Sequence, residues 1–176
     1  SYMEVVGGFP KTVLTASDKA KDDYFGQSVS ITSNKSRLVV SSLAKNVGGV
    51  SRAGQIYVYT RSGSAWVEEA KIFAADKAVD DYFGRSVAID SAGVRIAVGS
   101  HERDVTGISN AGQVYVYVRS GTSWALETTI AASDKAAGDR FGSSVSWTAD
   151  STRLAISAQT KDVSGVVDAG QVYIFQ

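Results

Sequence analysis

Aspartates recur in three clusters along this 176-residue chain: Asp18 with Asp22 and Asp23, Asp76 with Asp80 and Asp81, and Asp134 with Asp139. Grouped carboxylates invite calcium, a hard cation that takes about six to eight oxygens, usually from several carboxylates of one tight loop. Asp18, Asp23, Asp76, Asp81, Asp134 and Asp139 are therefore the candidate calcium ligands. The other role of such residues is local, because an Asp side chain accepts backbone N–H groups a few residues on and so shapes a turn. The Asp-Lys-Ala segments read as turn formation first, with no metal site assigned and no cofactor expected.

Catalytic chemistry has little to work with. His101 stands beside Glu102, Arg103 and Asp104, but neighbours along an extended segment point to opposite sides. A general base also needs a convergent pocket and a partner, so His101 reads as a solvated loop histidine. With no cysteine and a single histidine, the chain can form no disulfide, thiolate zinc site or multi-histidine metal site. The glycines fall at strand ends and turns rather than in a phosphate-cradling loop. No catalytic residue is assigned, and the chain reads as a non-enzyme. Eighteen basic and eighteen acidic side chains cancel, leaving no clustered positive charge for nucleic acid or an anionic membrane. Apolar runs are too short to span a bilayer as a helix, and no signal segment is visible.

These residues are positioned by a strict repeat. Phe25-Gly26, Phe83-Gly84 and Phe141-Gly142 lie 58 residues apart, as do Ala53-Gly54-Gln55, Ala111-Gly112-Gln113 and Ala169-Gly170-Gln171. The three Asp-Lys-Ala segments keep the same spacing. Within the middle copy the spacing of apolar residues predicts four strands, over residues 86–89, 94–98, 113–118 and 123–130. Val114, Val116 and Val118 alternate with Tyr115 and Tyr117, a period of two that marks strands, with Gly, Ser and Asp at the breaks. No apolar stripe of helical period has useful length. Four short antiparallel strands per repeat is the size of a propeller blade. Trp66 and Trp124 share one repeat position, held by Gly8 in the N-terminal segment, and read as packing the outer strand, with sugar stacking as the alternative.

Phe-Gly before a Ser-Val-x-Ile strand, Ala97-Val98-Gly99-Ser100 at a strand end, and Ala-Gly-Gln-Val-Tyr-Val-Tyr together resemble FG-GAP repeats, the blade units of integrin-α-like β-propellers. The resemblance covers nearly the whole chain. It implies that Phe-Gly opens the innermost strand and that a Gly-Ala-Pro closes the second. Here the latter is replaced by Val40-Ser41-Ser42, Val98-Gly99-Ser100 and Ile156-Ser157-Ala158, all without proline. Calcium-binding blades of that family carry an Asp-x-Asp-x-Asp-Gly type loop between the first two strands. The matching loops, residues 32–37, 90–94 and 148–153, hold at most one acid each, so the family's metal site does not carry over.

The expected fold is all-β, with three four-stranded blades of 58 residues forming a single propeller unit over 1–176. Its parts are an orphan outer strand in 1–17, repeats at 18–75 and 76–133, and a third repeat at 134–176 lacking its outer strand. The N-terminal strand is expected to complete the last blade or that of a second chain, protecting an open edge. Three blades are fewer than the usual four to eight or so, so a head-to-tail homodimer or larger ring by strand exchange is expected. Copies that share a scaffold must agree on packing, which directs attention to the loop after the second strand, where they differ. Lys45, Asn46 and Arg52, then His101, Glu102, Arg103, Asp104 and Asn110, then Lys161, Asp162 and Asp168 are the candidate ligand-binding residues. By the resemblance, they would form a recognition face for a protein or glycan, outside the cell or on a cell or virion surface. The alternative is a structural subunit of a surface assembly such as a fibre, sheath or virion decoration.

Overall fold

The computed structural model describes residues 4–6 and 9–176, with side chains from Lys11 onward. The parts of the expected outer strand at residues 1–3 and 7–8, Gly8 included, lie outside the described residues. Thirteen strands and no helix are present among the described residues. A hairpin of β1 (Glu4–Val6) and β2 (Phe9–Lys11) comes first. The first blade is an antiparallel meander of β3 (Phe25–Ile31), β4 (Arg37–Ser42), β5 (Gln55–Ser62) and β6 (Ala65–Ile72). The second repeats it with β7 (Ser86–Ile89), β8 (Arg95–Ser100), β9 (Gln113–Ser120) and β10 (Ser123–Ile130). The third has β11 (Phe141–Trp147), β12 (Leu154–Ala158) and β13 (Gln171–Phe175).

The alternation read in the third strand of each repeat has a specific consequence. In β9, Tyr115 and Tyr117 enter a core shared with Ile56, Val58 and Ile72 of the first blade. Val114 and Val116, facing the other way, enter a core shared with Phe141, Val145 and Ile156 of the third. One strand is thus buried on both faces against two different sheets, which is how radially stacked blades hide their apolar residues. The inner strands β3, β7 and β11 lie against one another in sequence order. The inner edge of β7 is capped by side chains: Ser28 and Ser30 Oγ accept the N–H groups of Val87 and Ile89 at 3.1 and 3.0 Å.

Each Phe-Gly phenylalanine packs edge-on against the aromatic of its own third strand, Phe83 on Tyr115 at 5.3 Å and Phe141 on Tyr173 at the same distance. Phe25 and Phe141 open β3 and β11, but β7 begins only at Ser86. There Gly84, at φ 97°, and Arg85 both donate to the Gly99 carbonyl, so the strand enters through a bulge. Trp124 joins the core between the first two blades and donates its indole N–H to Glu69 Oε1 at 2.9 Å, while Glu69 is itself held by Arg37.

The blade-to-blade joint is made of main chain. Asp80, Tyr82 and Phe83 donate N–H groups to the carbonyls of Ser51, Arg52 and Ala53. Gly138, Arg140 and Phe141 do the same to Ser109, Asn110 and Ala111. The glycine of Ala-Gly-Gln allows this approach: a Cβ on Gly54 would lie 2.0 Å from the Phe83 carbonyl oxygen, and one on Gly112 would lie 2.1 Å from that of Phe141.

Among the described residues, no N-terminal strand completes the last blade: β1 and β2 pair with each other, and β13 has β12 as its one ladder partner. The reason is position. Leu14 and Ala16 pack on Tyr57, Tyr59 and Phe25 at the front of the first blade, at the far end of a three-blade arc from β13.

Candidate functional site

The cations of the varied loop are built into the scaffold. Lys45 Nζ donates to Asp23 Oδ2 at 2.8 Å and also to the Asp18 carbonyl, while the Tyr57 hydroxyl donates to Asp18 Oδ1 at 2.6 Å. Arg103 holds Asp81 Oδ2 at 2.6 Å and Asp76 Oδ2 at 2.9 Å, with Tyr115 on Asp76 Oδ1 at 3.0 Å. Lys161 holds Asp139 Oδ2 at 2.9 Å and the Asp134 carbonyl at 2.8 Å, with Tyr173 on Asp134 Oδ1 at 2.8 Å. In all three, the second aspartate also accepts a backbone N–H, from Ala20, Ala78 or Ala136. Each brace ties the loop after the second strand to the segment that enters the first. Burial raises the Asp18 carboxyl, but the Tyr57 and Lys71 hydrogen bonds and the Lys45 charge outweigh it and hold the group at about 2.

These carboxylates already have cationic partners. Each pair of carboxylates closes round an ammonium or guanidinium, and no cluster of three or more metal-ligating side chains exists among the described residues. The fixed cation supplies charge compensation to the pair.

The polar residues beyond the braces are also committed. Asn46, Asp104 and Asp162 accept the N–H groups of Arg52, Asn110 and Asp168 at 2.9, 2.8 and 2.9 Å. Between them a two-residue turn brings Val47 to Val50, Val105 to Ile108 and Val163 to Val166. Arg52 pairs with Asp80 of the next blade. Of the eleven residues named from sequence, nine therefore shape loops or occupy their repeat positions, and two remain: His101 and Glu102.

Those two line a crevice of about 280 Å³ with Gln27, Leu43, Tyr82 and Arg85. It lies between the first and second blades, where the inner strands begin. His101 is not solvated as expected from sequence, being 9% exposed. Its Nδ1 has no hydrogen-bond partner, and its Nε2 stands 3.7 Å from Glu102 Oε1. Burial, helped by the positive charges of Arg85 and Arg140, pushes the imidazole down to about 4, so it is neutral at pH 7. Glu102 reaches across to Arg140 of the third blade at 3.5 Å. Arg85 makes no ion pair or side-chain hydrogen bond among the described residues.

The FG-GAP repeat family model matches the chain three times, over residues 11–59, 66–117 and 124–175. The chain belongs to the FG-GAP repeat family. FG-GAP repeats are found in adhesion and recognition β-propeller proteins, are generally non-enzymatic and typically occur in extracellular proteins. No helix among the described residues is long and apolar enough to cross a membrane. A comparison with curated proteins gave no match. Among solved structures, the Saccharomyces cerevisiae Sqt1 crystal structure superposes with a TM-score of 0.51 at 11% identity, covering 89% of this chain and 32% of that one. The FG-GAP chain thus spans about a third of that structure, and the likeness concerns the fold alone.

Within this FG-GAP chain, sequence reasoning missed Gln27, Tyr82, Arg85 and Arg140. The signal was available: Gln27, Arg85 and Ser143 share the position right after Phe-Gly, and Tyr24, Tyr82 and Arg140 the position before it. The rule that divergence between copies marks exposed chemistry points there too, had it not been confined to one loop.

Proposed function

We propose that this FG-GAP chain is a non-enzymatic recognition module, acting outside the cell or on a cell or virion surface. It receives an acidic group of a protein or glycan partner in the His101 crevice. One observation carries the reading: an unpaired guanidinium, Arg85, faces a crevice that also holds a buried neutral imidazole with a free nitrogen. A guanidinium fork binds a carboxylate through two parallel hydrogen bonds. A neutral imidazole can donate or accept beside it. The Gln27 amide and the Tyr82 ring complete a lining suited to hydrogen bonding and stacking. Among the described residues no hydroxyl hydrogen-bonds His101, which leaves the imidazole without a nucleophile to activate.

The test is an array of proteins and of neutral and acidic glycans, probed with the purified chain. Arg85→Ala should weaken binding of the captured ligand by about 10- to 100-fold, the value of a charged hydrogen bond. Ligand binding that ignores Arg85→Ala refutes the proposal.

A further inference from the structure

His101 is the single histidine of the chain, and three blades supply its surroundings. It stands in the loop after β8, buried, with Nδ1 unpartnered. The first blade brings Gln27 and Leu43 to the crevice, neither of which carries charge. The second brings Arg85, Glu102 and Tyr82, whose ring tilts against the imidazole at 6.3 Å. The third brings Arg140. Glu102 Oε1 lies 3.7 Å from His101 Nε2 and 3.5 Å from Arg140, so its charge is shared with a guanidinium. Arg85 has no ion-pair partner among the described residues. Arg85 and Arg140 against Glu102 alone leave one positive charge in surplus around the imidazole. Burial and that surplus both disfavour a second cation here.

An acidic ligand reverses that balance. A carboxylate paired with Arg85 cancels the surplus, and its charge enters the same space of about 280 Å³ that the imidazole lines. We propose that the crevice binds its acidic ligand together with one proton, taken from solvent by the His101 imidazole, so that acidification from pH 7 to pH 5 strengthens binding. The proposal rests on the recognition reading above and adds the regulation of that site. No bond of the ligand changes: the imidazole gains an N–H and a positive charge, and the carboxylate compensates it. Leu43 and Gln159, at the same position in the other repeats, cannot titrate, so the coupling belongs to the second repeat. In the free protein the imidazole sits at about 4. An opposite charge within about 4–6 Å raises such a group by about one to three units. Near pH 7 neither the free nor the bound form holds the proton. As pH falls the bound form takes it first, and a rise of about two units makes binding about 10-fold tighter at pH 5 than at pH 7.

The probe is N-acetylglycine, whose carboxyl ionises at about 3.3–3.7 and stays charged at pH 5. N-acetylglycinamide is the uncharged control. NMR titrations of the purified chain at pH 7, 6 and 5 give the affinities for wild type, Arg85→Ala and His101→Gln. With one histidine in the chain, its imidazole C–H resonances report His101 without ambiguity. Wild type should bind N-acetylglycine about 10-fold tighter at pH 5 than at pH 7. Excess probe should raise the His101 titration by at least about one unit, and His101→Gln should bind equally at all three pH values. Arg85-dependent binding with flat affinity, a His101 titration that the probe does not move, or a pH effect that survives His101→Gln overturns the proposal and leaves the recognition reading standing. Absent binding, binding that ignores Arg85→Ala, or equal binding of N-acetylglycinamide removes the recognition reading and the proposal with it.

Discussion

Acidification should cost this protein stability in a window set by His101. The imidazole falls from an ordinary 6.5 to about 4 on folding, so the native state resists a proton that the unfolded chain accepts. Above pH 6.5 neither state is protonated and the histidine contributes nothing to the pH dependence. Between pH 6.5 and 4 the unfolded state alone gains the proton, and stability falls by up to about 1.4 kcal/mol per pH unit. The total is about 3 kcal/mol, reached near pH 4, below which both states are protonated. Asp18, held at about 2 against an ordinary 3.8, loses its contribution lower on the scale, as pH falls below 3.8. The perturbation is His101→Gln, the residue type that stands at the same position as Gln159 in the third repeat. Urea unfolding at pH 7.5, 6, 5 and 4.5 measures the difference between the two proteins. The variant should lose about 2–3 kcal/mol less than the wild type across that range. Parallel curves for the two proteins would show that Arg85, Arg140 and burial do not disfavour the imidazolium, and the reasoning fails.

Lys161→Met should cost about 3–5 kcal/mol in urea unfolding, because it strands the buried Asp139 carboxylate. Adding Asp139→Asn should recover most of that loss, and an equal loss in the double variant would show that the brace is not the cause. Gly112→Ala should cost at least about 3 kcal/mol, from a backbone clash at 2.1 Å and a φ of 84°. Gly121→Ala, at φ 63° in open space, should cost about 1 kcal/mol, both variants being read by urea unfolding. Trp124→Phe keeps the ring but removes the indole donor to Glu69, for an expected loss of about 1–2 kcal/mol in chemical denaturation.

The blades were legible because their signals are local and written three times. Ser86–Ile89 and Ser123–Ile130 stand where period-two alternation puts them. The bulge at Gly84 and the late start of β7 were not legible, since they answer to the neighbouring Gly99 carbonyl rather than to local sequence. Lys45, Arg103 and Lys161 looked like surface variety. Their partners, 22 residues earlier in each repeat, become neighbours only when the meander folds. A Lys-to-Arg change between copies kept the charge, and that was the one sign in the sequence of a shared structural duty. His101 was misread as solvated for a related reason: its burial comes from Tyr82 and the first two blades meeting, a relation between repeats that no single repeat displays.

The joint between blades also bears on how such a protein can change. Because carbonyls of residues 51–53 meet amides of residues 80–83, this hydrogen-bonded part of the contact is independent of side-chain identity apart from the glycine that admits it, and the shared apolar cores are the part that must match. Blades are therefore interchangeable parts. A copy that keeps its core residues can be duplicated, or swapped for another with a different crevice lining, without disturbing its neighbours. The side chains at positions 27, 85 and 143, right after each Phe-Gly, can then differ from copy to copy while the frame that carries them stays the same.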